Sequence, residues 1–135
     1  MSISAWLSGV LLGTGKNTLE GFGVEELTAL EGLEGALAES VERPVFLFKH
    51  STACPTSASA YRRVAEYLRG EGANAPRLYL VKVIESRAVS NEIAARLGVA
   101  HASPQMLLVR DGRPVWNASH GAIDGAAMGR ALQVI

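Results

Sequence analysis

Two short runs of this chain are almost entirely apolar: Val45-Phe46-Leu47-Phe48, and Leu78-Tyr79-Leu80-Val81 continuing through Lys82-Val83-Ile84. A strand that shows one face to water alternates apolar and polar residues. A strand buried on both faces does not, and these two runs read as the second kind. Between them Tyr61, Val64, Ala65 and Leu68 recur at helical spacing, with Arg62, Arg63, Glu66 and Arg69 expected to face outward. A strand–helix–strand unit within one sheet requires parallel pairing and a right-handed crossover. Both faces of such a sheet must be covered, so further helices are needed on either side.

The rest of the sequence supplies them. Val24, Leu27, Leu30, Leu33 and Leu37 step by three and four, which predicts a helix over about 24–40, weakened by Gly32 and Gly35. Ser90 opens a short helix with Ile93 and Leu97 inward, and Gly98-Val99 ends it. Met106–Val109, Asp111-Gly112 and Arg113–Trp116 read as a hairpin, because Asp-Gly suits the two positive φ angles of a tight primed turn. A last helix is expected from about Asp124 to Leu132. The order α, β, α, β, α, β, β, α gives an α/β protein. A four-stranded mixed sheet flanked by helices, with an extra helix at the N-terminal side, is the thioredoxin-like arrangement.

At 135 residues the chain is long enough for one domain with its own core, placed at residues 23–135 behind an extension at 1–22. In that extension no basic residue precedes the apolar stretch Ile3–Leu12, as a secretory leader would need, and the stretch is too short to span a bilayer. Gly9–Thr18 fails the phosphate-loop template, since Asn17 stands where Ser or Thr would hold magnesium. Trp6, Leu7, Val10 and Leu11 fall on one helical face.

Thirteen basic and thirteen acidic residues cancel, so no overall field draws in nucleic acid or an anionic membrane. The cancellation is uneven along the chain. Residues 1–42 hold one Lys and seven Glu, while 43–135 hold twelve basic and six acidic side chains. The expectation is an acidic surface helix ahead of a mildly basic body.

Cys54 is the single cysteine, which excludes an internal disulfide and a Cys-rich metal site. It follows a buried strand, and Pro55 suits the first position inside a helix. Cys54 is therefore expected at a helix N-cap, where unpaired N–H groups and the helix dipole favour a thiolate. The N–H and the hydroxyl of Ser57, three residues on, are both expected to point at the sulfur. Cys54-Pro55-Thr56-Ser57 is a C-x-x-C pattern whose second sulfur is replaced by oxygen, so the resolving thiol must come from another molecule. Lys49 and His50 are near in sequence, on a strand that can carry them away. Pro104 lies fifty residues after Cys54, directly before a strand, where thioredoxin-like folds place a cis proline facing the cysteine. The backbone of Ser103 is then free to pair with an extended client. His101 and His120 are expected to be surface or hydrogen-bonding residues, with no metal site.

Four ordered blocks carry a family resemblance: Phe48-Lys49-His50-Ser51-Thr52-Ala53-Cys54-Pro55-Thr56-Ser57, Glu85-Ser86-Arg87 with Ser90-Asn91, His101-Ala102-Ser103-Pro104-Gln105, and Trp116-Asn117-Ala118-Ser119-His120. Over about residues 23–134 the chain resembles the monothiol bacilliredoxins of the YtxJ type. The resemblance implies a thioredoxin-fold enzyme of the cytoplasm that removes bacillithiol from oxidised protein cysteines. Cys54 would be the nucleophile, supported by Thr52, Pro55, Ser57, Lys49 and His50. The loop Ala102-Ser103-Pro104 would line the substrate site. Bacillithiol would be a co-substrate, with no tightly bound cofactor. Three positions depart from the family pattern. Thr56 replaces a branched apolar residue, Gly121 an aromatic, and Asp124 a threonine. Two rival readings are an iron–sulfur carrier of the monothiol glutaredoxin kind and a non-catalytic thioredoxin-fold adaptor.

Overall fold

The computed structural model describes residues 19–135; the helical face expected at Trp6, Leu7, Val10 and Leu11 lies outside them. Five strands form one mixed sheet: β1 (Glu25–Glu26), β2 (Val45–His50), β3 (Arg77–Lys82), β4 (Gln105–Arg110) and β5 (Arg113–Ser119). Their spatial order is β1-β3-β2-β4-β5. The β2–β3 pair is parallel and the β2–β4 and β4–β5 pairs are antiparallel, as the crossover and the hairpin require. Asp111 and Gly112 both have positive φ, which makes the tight turn that Asp-Gly foretold.

Strand β2 is buried at all six positions. Its alternation divides the interior in two. Phe46 and Phe48 join Leu78, Leu80, Met106 and Leu108 beneath α2 (Pro55–Glu71) and α4 (Gly125–Gln133). Val45 and Leu47 join Tyr79, Val81, Leu107 and Val109 beneath α1 (Leu30–Glu39) and α3 (Arg87–Leu97).

The N-terminal helix differs from its expected span. It begins at Leu30, and Glu25-Glu26 instead pairs with β3 as a fifth, edge strand. The local 3–4 period of Val24 and Leu27 yields to an open sheet edge, whose backbone groups need partners. Leu27 N–H donates to the Leu80 carbonyl at 2.8 Å, while Leu30, expected in the apolar stripe, is exposed. Gly32 now has a packing reason, since a Cβ there would lie 3.2 Å from the Leu27 methyl. Strand β3 also ends earlier than expected, leaving Ile84 exposed. At the other end of the described chain, Leu19 is already buried and its N–H donates to the Tyr61 hydroxyl at 3.0 Å.

The acidic helix is more than solvated charge. Glu25 and Glu39 bind Arg77, Glu26 binds Lys82 and Glu34 binds Arg96, so the acidic N-terminal third closes onto the basic body. Exposed pairs of this kind contribute about 0–1 kcal/mol each. Glu39 is held more firmly. Burial works against its carboxylate, but hydrogen bonds from the Tyr79 hydroxyl and Arg77 outweigh that and keep its pKa below the usual range.

Gly125 opens α4 against Tyr67, and a Cβ there would sit 2.8 Å from the ring. Gly125→Ala should therefore destabilise the domain. The overpacking cost, about 1–3 kcal/mol, exceeds the helix-propensity gain of at most about 1 kcal/mol. Urea unfolding of the variant reads this directly.

Candidate active site

Cys54 caps α2 in extended geometry, with Pro55 in the first turn, and its carbonyl accepts the Ala58 N–H at 3.0 Å. The side chain is half-exposed. The Ser57 N–H faces the sulfur and is the main cause of a thiol pKa below its ordinary value. Desolvation opposes it, and the Thr56 N–H and hydroxyl add smaller contributions in the same direction as Ser57. The direction of the shift is the one expected of a thiol at a helix start.

Ser57 corrects one expectation. Its N–H faces the sulfur, but its hydroxyl turns inward and is fully buried. The Ser57 Oγ accepts the Ser51 N–H at 2.9 Å and lies 2.7 Å from His50 Nδ1. The hydroxyl therefore ties the 51–57 loop to β2. The side-chain donor at the sulfur is instead Thr56, the position where the chain departs from the family pattern.

Lys49 and His50 part company at the end of β2, as alternation demands. His50 goes to the α2 side. It packs 4.8 Å, centroid to centroid, from Tyr61, and burial, followed by the nearby Lys82, lowers its pKa. Glu85 opposes that shift; its carboxylate accepts the Thr52 hydroxyl at 3.0 Å. His50, Thr52, Tyr61 and Leu80 share a cavity of about 280 Å³ with Lys82 and Glu26. Lys49 goes to the other face, fully buried, with its amine 3.2 Å from His101 Nδ1. Desolvation pushes the Lys49 pKa down to about 8.

The third part of the site is the loop Ala102-Ser103-Pro104. The Ser103–Pro104 peptide is cis, as its position suggested. The Pro104 carbonyl accepts the His120 N–H at 3.1 Å. Arg63 holds the other side of that junction, donating to the Ile123 carbonyl at 2.7 Å and the His120 carbonyl at 3.1 Å. Arg63 was expected to face solvent; helical periodicity alone does not show that a neighbouring turn offers it two carbonyls. Gln105 Nε2 closes the loop from below on the Ala100 carbonyl at 3.0 Å. Ser103 Oγ and Gln105 Oε1 are buried without partners among the described residues. Asp124, another departure, accepts the Ala127 N–H at 2.8 Å as the N-cap of α4, a role threonine also fills. Among the described residues no group of three or more His, Cys, Asp or Glu could hold a metal ion, and no helix is long and apolar enough to cross a membrane.

Two outcomes follow from this geometry. Ser57→Ala should cost about 1–3 kcal/mol, because the Ser51 N–H and His50 lose a buried partner. It should leave the pH midpoint of Cys54 alkylation in place, whereas Thr56→Val should raise that midpoint. For Lys49, the folded pKa of about 8 lies below the unfolded value of about 10.4. Unfolded chains then bind more protons between those values, so stability from this group rises with pH across the window and is lost as pH falls through about 8. Lys49→Met should flatten that slope in urea titrations at pH 7.5–10.

Among solved structures, the chain is similar to a candidate oxidoreductase with a thioredoxin fold, at 31% identity and a TM-score of 0.72, covering 81% of this chain and 93% of that one. It also matches mitochondrial thioredoxin 3 from Saccharomyces cerevisiae at 15% identity and a TM-score of 0.64, covering 83% of this chain and 95% of that one. A thioredoxin of Fasciola hepatica matches at 14% identity and 0.64, over 81% and 96%. The last two likenesses establish the fold. A family profile, monothiol bacilliredoxin BrxC, matches residues 25–128, a span that holds Cys54, Ser57 and the cis proline together. The chain belongs to the monothiol bacilliredoxin family.

Proposed function

We propose that this protein is a monothiol disulfide reductase that removes bacillithiol from mixed disulfides on client proteins. The observation that carries this is the arrangement at α2. One activated sulfur stands at the helix start, and the hydroxyl in the resolving position is locked away on Ser51 and His50.

The Cys54 thiolate attacks the bacillithiol sulfur of the client's mixed disulfide. The client–bacillithiol S–S bond breaks, a Cys54–bacillithiol disulfide forms, and the client sulfur leaves as a thiolate that takes a proton from water. A second bacillithiol thiolate then attacks the adduct. It releases oxidised bacillithiol and returns Cys54 as a thiolate, so each cycle frees one client thiol, consumes one bacillithiol thiol and carries the client's bacillithiol away in the product disulfide. The extended client lies against the backbone of Ala102, Ser103 and Pro104. Because regeneration draws on a reduced thiol pool, the reading belongs with a cytoplasmic setting. A lowered thiol pKa supports chemistry over the passive adaptor role.

Cys54→Ser should abolish client clearance, and intact-mass analysis of the wild type under turnover should show a single bacillithiol adduct on Cys54. A glutathione-modified client, run in parallel, should clear more slowly. Clearance that survived in Cys54→Ser would sink the proposal.

A further inference from the structure

Lys49 is a fully buried amine whose only partner among the described residues is His101. A buried ammonium without a counter-ion is costly, so its surroundings call for explanation. An ammonium can only donate, so His101 Nδ1 accepts and the ring proton sits on Nε2. Ser90 Oγ lies 3.5 Å from the same Nδ1. Arg87 stands one turn earlier than Ser90 on α3, three residues back and so on the same helix face. No ion pair is made by Arg87 among the described residues. The nearby carboxylates are engaged elsewhere, Glu85 by Thr52 and Glu92 by Arg96. His101 itself is exposed and sits three residues before the cis proline.

Lys49 and Arg87 thus have no acidic counter-ion among the described residues. The buried charge of Lys49 backs the imidazole, whose Nε2–H is left for an outside acceptor, and the exposed Arg87 is near enough to act electrostatically on the ring. We propose that His101 Nε2–H and Arg87 bind a carboxylate of the small thiol that regenerates Cys54, with Lys49 as the buried charge behind them. This rests on the monothiol reading above and names a chemical requirement on its co-substrate. Partial desolvation, then the two cations Lys49 and Arg87, push the ring's pKa down and so favour its neutral form. Neutral His101 can still accept from Lys49 while it donates outward.

The test compares two thiols that differ by one carboxylate, N-acetylcysteine and N-acetylcysteine amide. The full chain is first loaded at Cys54 as a mixed disulfide with 2-mercaptoethanol. Release is followed by intact mass and normalised to each thiol's rate on a free mixed disulfide. Wild type should favour the carboxylate thiol by about tenfold, the effect of one charge-assisted hydrogen bond. The preference should fall to near unity in Arg87→Gln and His101→Asn, and it should shrink in Lys49→Met. In parallel, the His101 ring resonances should shift saturably with N-acetyl-S-methylcysteine, which has no thiol, and not with its amide. Equal normalised rates in wild type, or a preference that survives His101→Asn and Arg87→Gln, overturn the site. A saturable His101 shift in a protein that exchanges with neither thiol supports the anion site and overturns the monothiol reading instead.

Discussion

Everything in this protein hangs on the burial of β2 from both sides. Six consecutive residues, Val45 to His50, have no solvent face. Successive side chains must therefore serve two separate interiors. The apolar four divide cleanly between the α2/α4 layer and the α1/α3 layer. The last two, Lys49 and His50, are polar residues carried by the same alternation into the same two interiors. Each must find a partner or bear the cost of desolvation. His50 finds the Ser57 hydroxyl and Lys49 finds His101. One strand end thereby anchors both the cysteine loop and the cis-proline loop.

The same logic explains how charge is distributed. The chain is neutral overall but split along its length, and the fold brings the two halves into contact. Arg77 gathers Glu25, Glu39 and the Tyr79 hydroxyl at the edge of the sheet, while Arg96 and Lys82 take Glu34 and Glu26. The pairs that neutralise the body lie on the β1/α1 side. The site side keeps Lys49 and Arg87 without acidic partners among the described residues. Docking of α1 and β1 thus pairs the acidic N-terminal third with the body, while Lys49 and Arg87 both act on His101, three residues before the cis proline.

Much of the fold was legible because strong local periods agreed with the global arrangement. The two apolar runs, the Asp111-Gly112 turn, Pro55 at the start of α2 and Gly98 at the end of α3 each name their own element. The misreadings fall where a tertiary demand overrode a local pattern. Val24 and Leu27 fit a helical period, yet the free edge of β3 pulled Glu25-Glu26 into a strand. Arg63 fits an outward helical face, yet two carbonyls of the neighbouring turn claim it. Sheet-edge pairing and carbonyl satisfaction are contacts between distant segments, and spacing along one segment carries no record of them.

For the site, the sequence by itself determined which reactive groups are present. One sulfur is placed at a helix start by Pro55, with Ser57 where a second sulfur would stand. The family blocks around Cys54, His101 and Pro104 were likewise readable in order. Only the tertiary structure decided orientation. It turned the Ser57 hydroxyl away from the sulfur, brought the Thr56 hydroxyl to it, and sent Lys49 and His50 to opposite faces. The reason is physical. Residue identity fixes which reactions are available, but the direction of a side chain is set by which buried groups lack partners, and that is a property of the packed molecule.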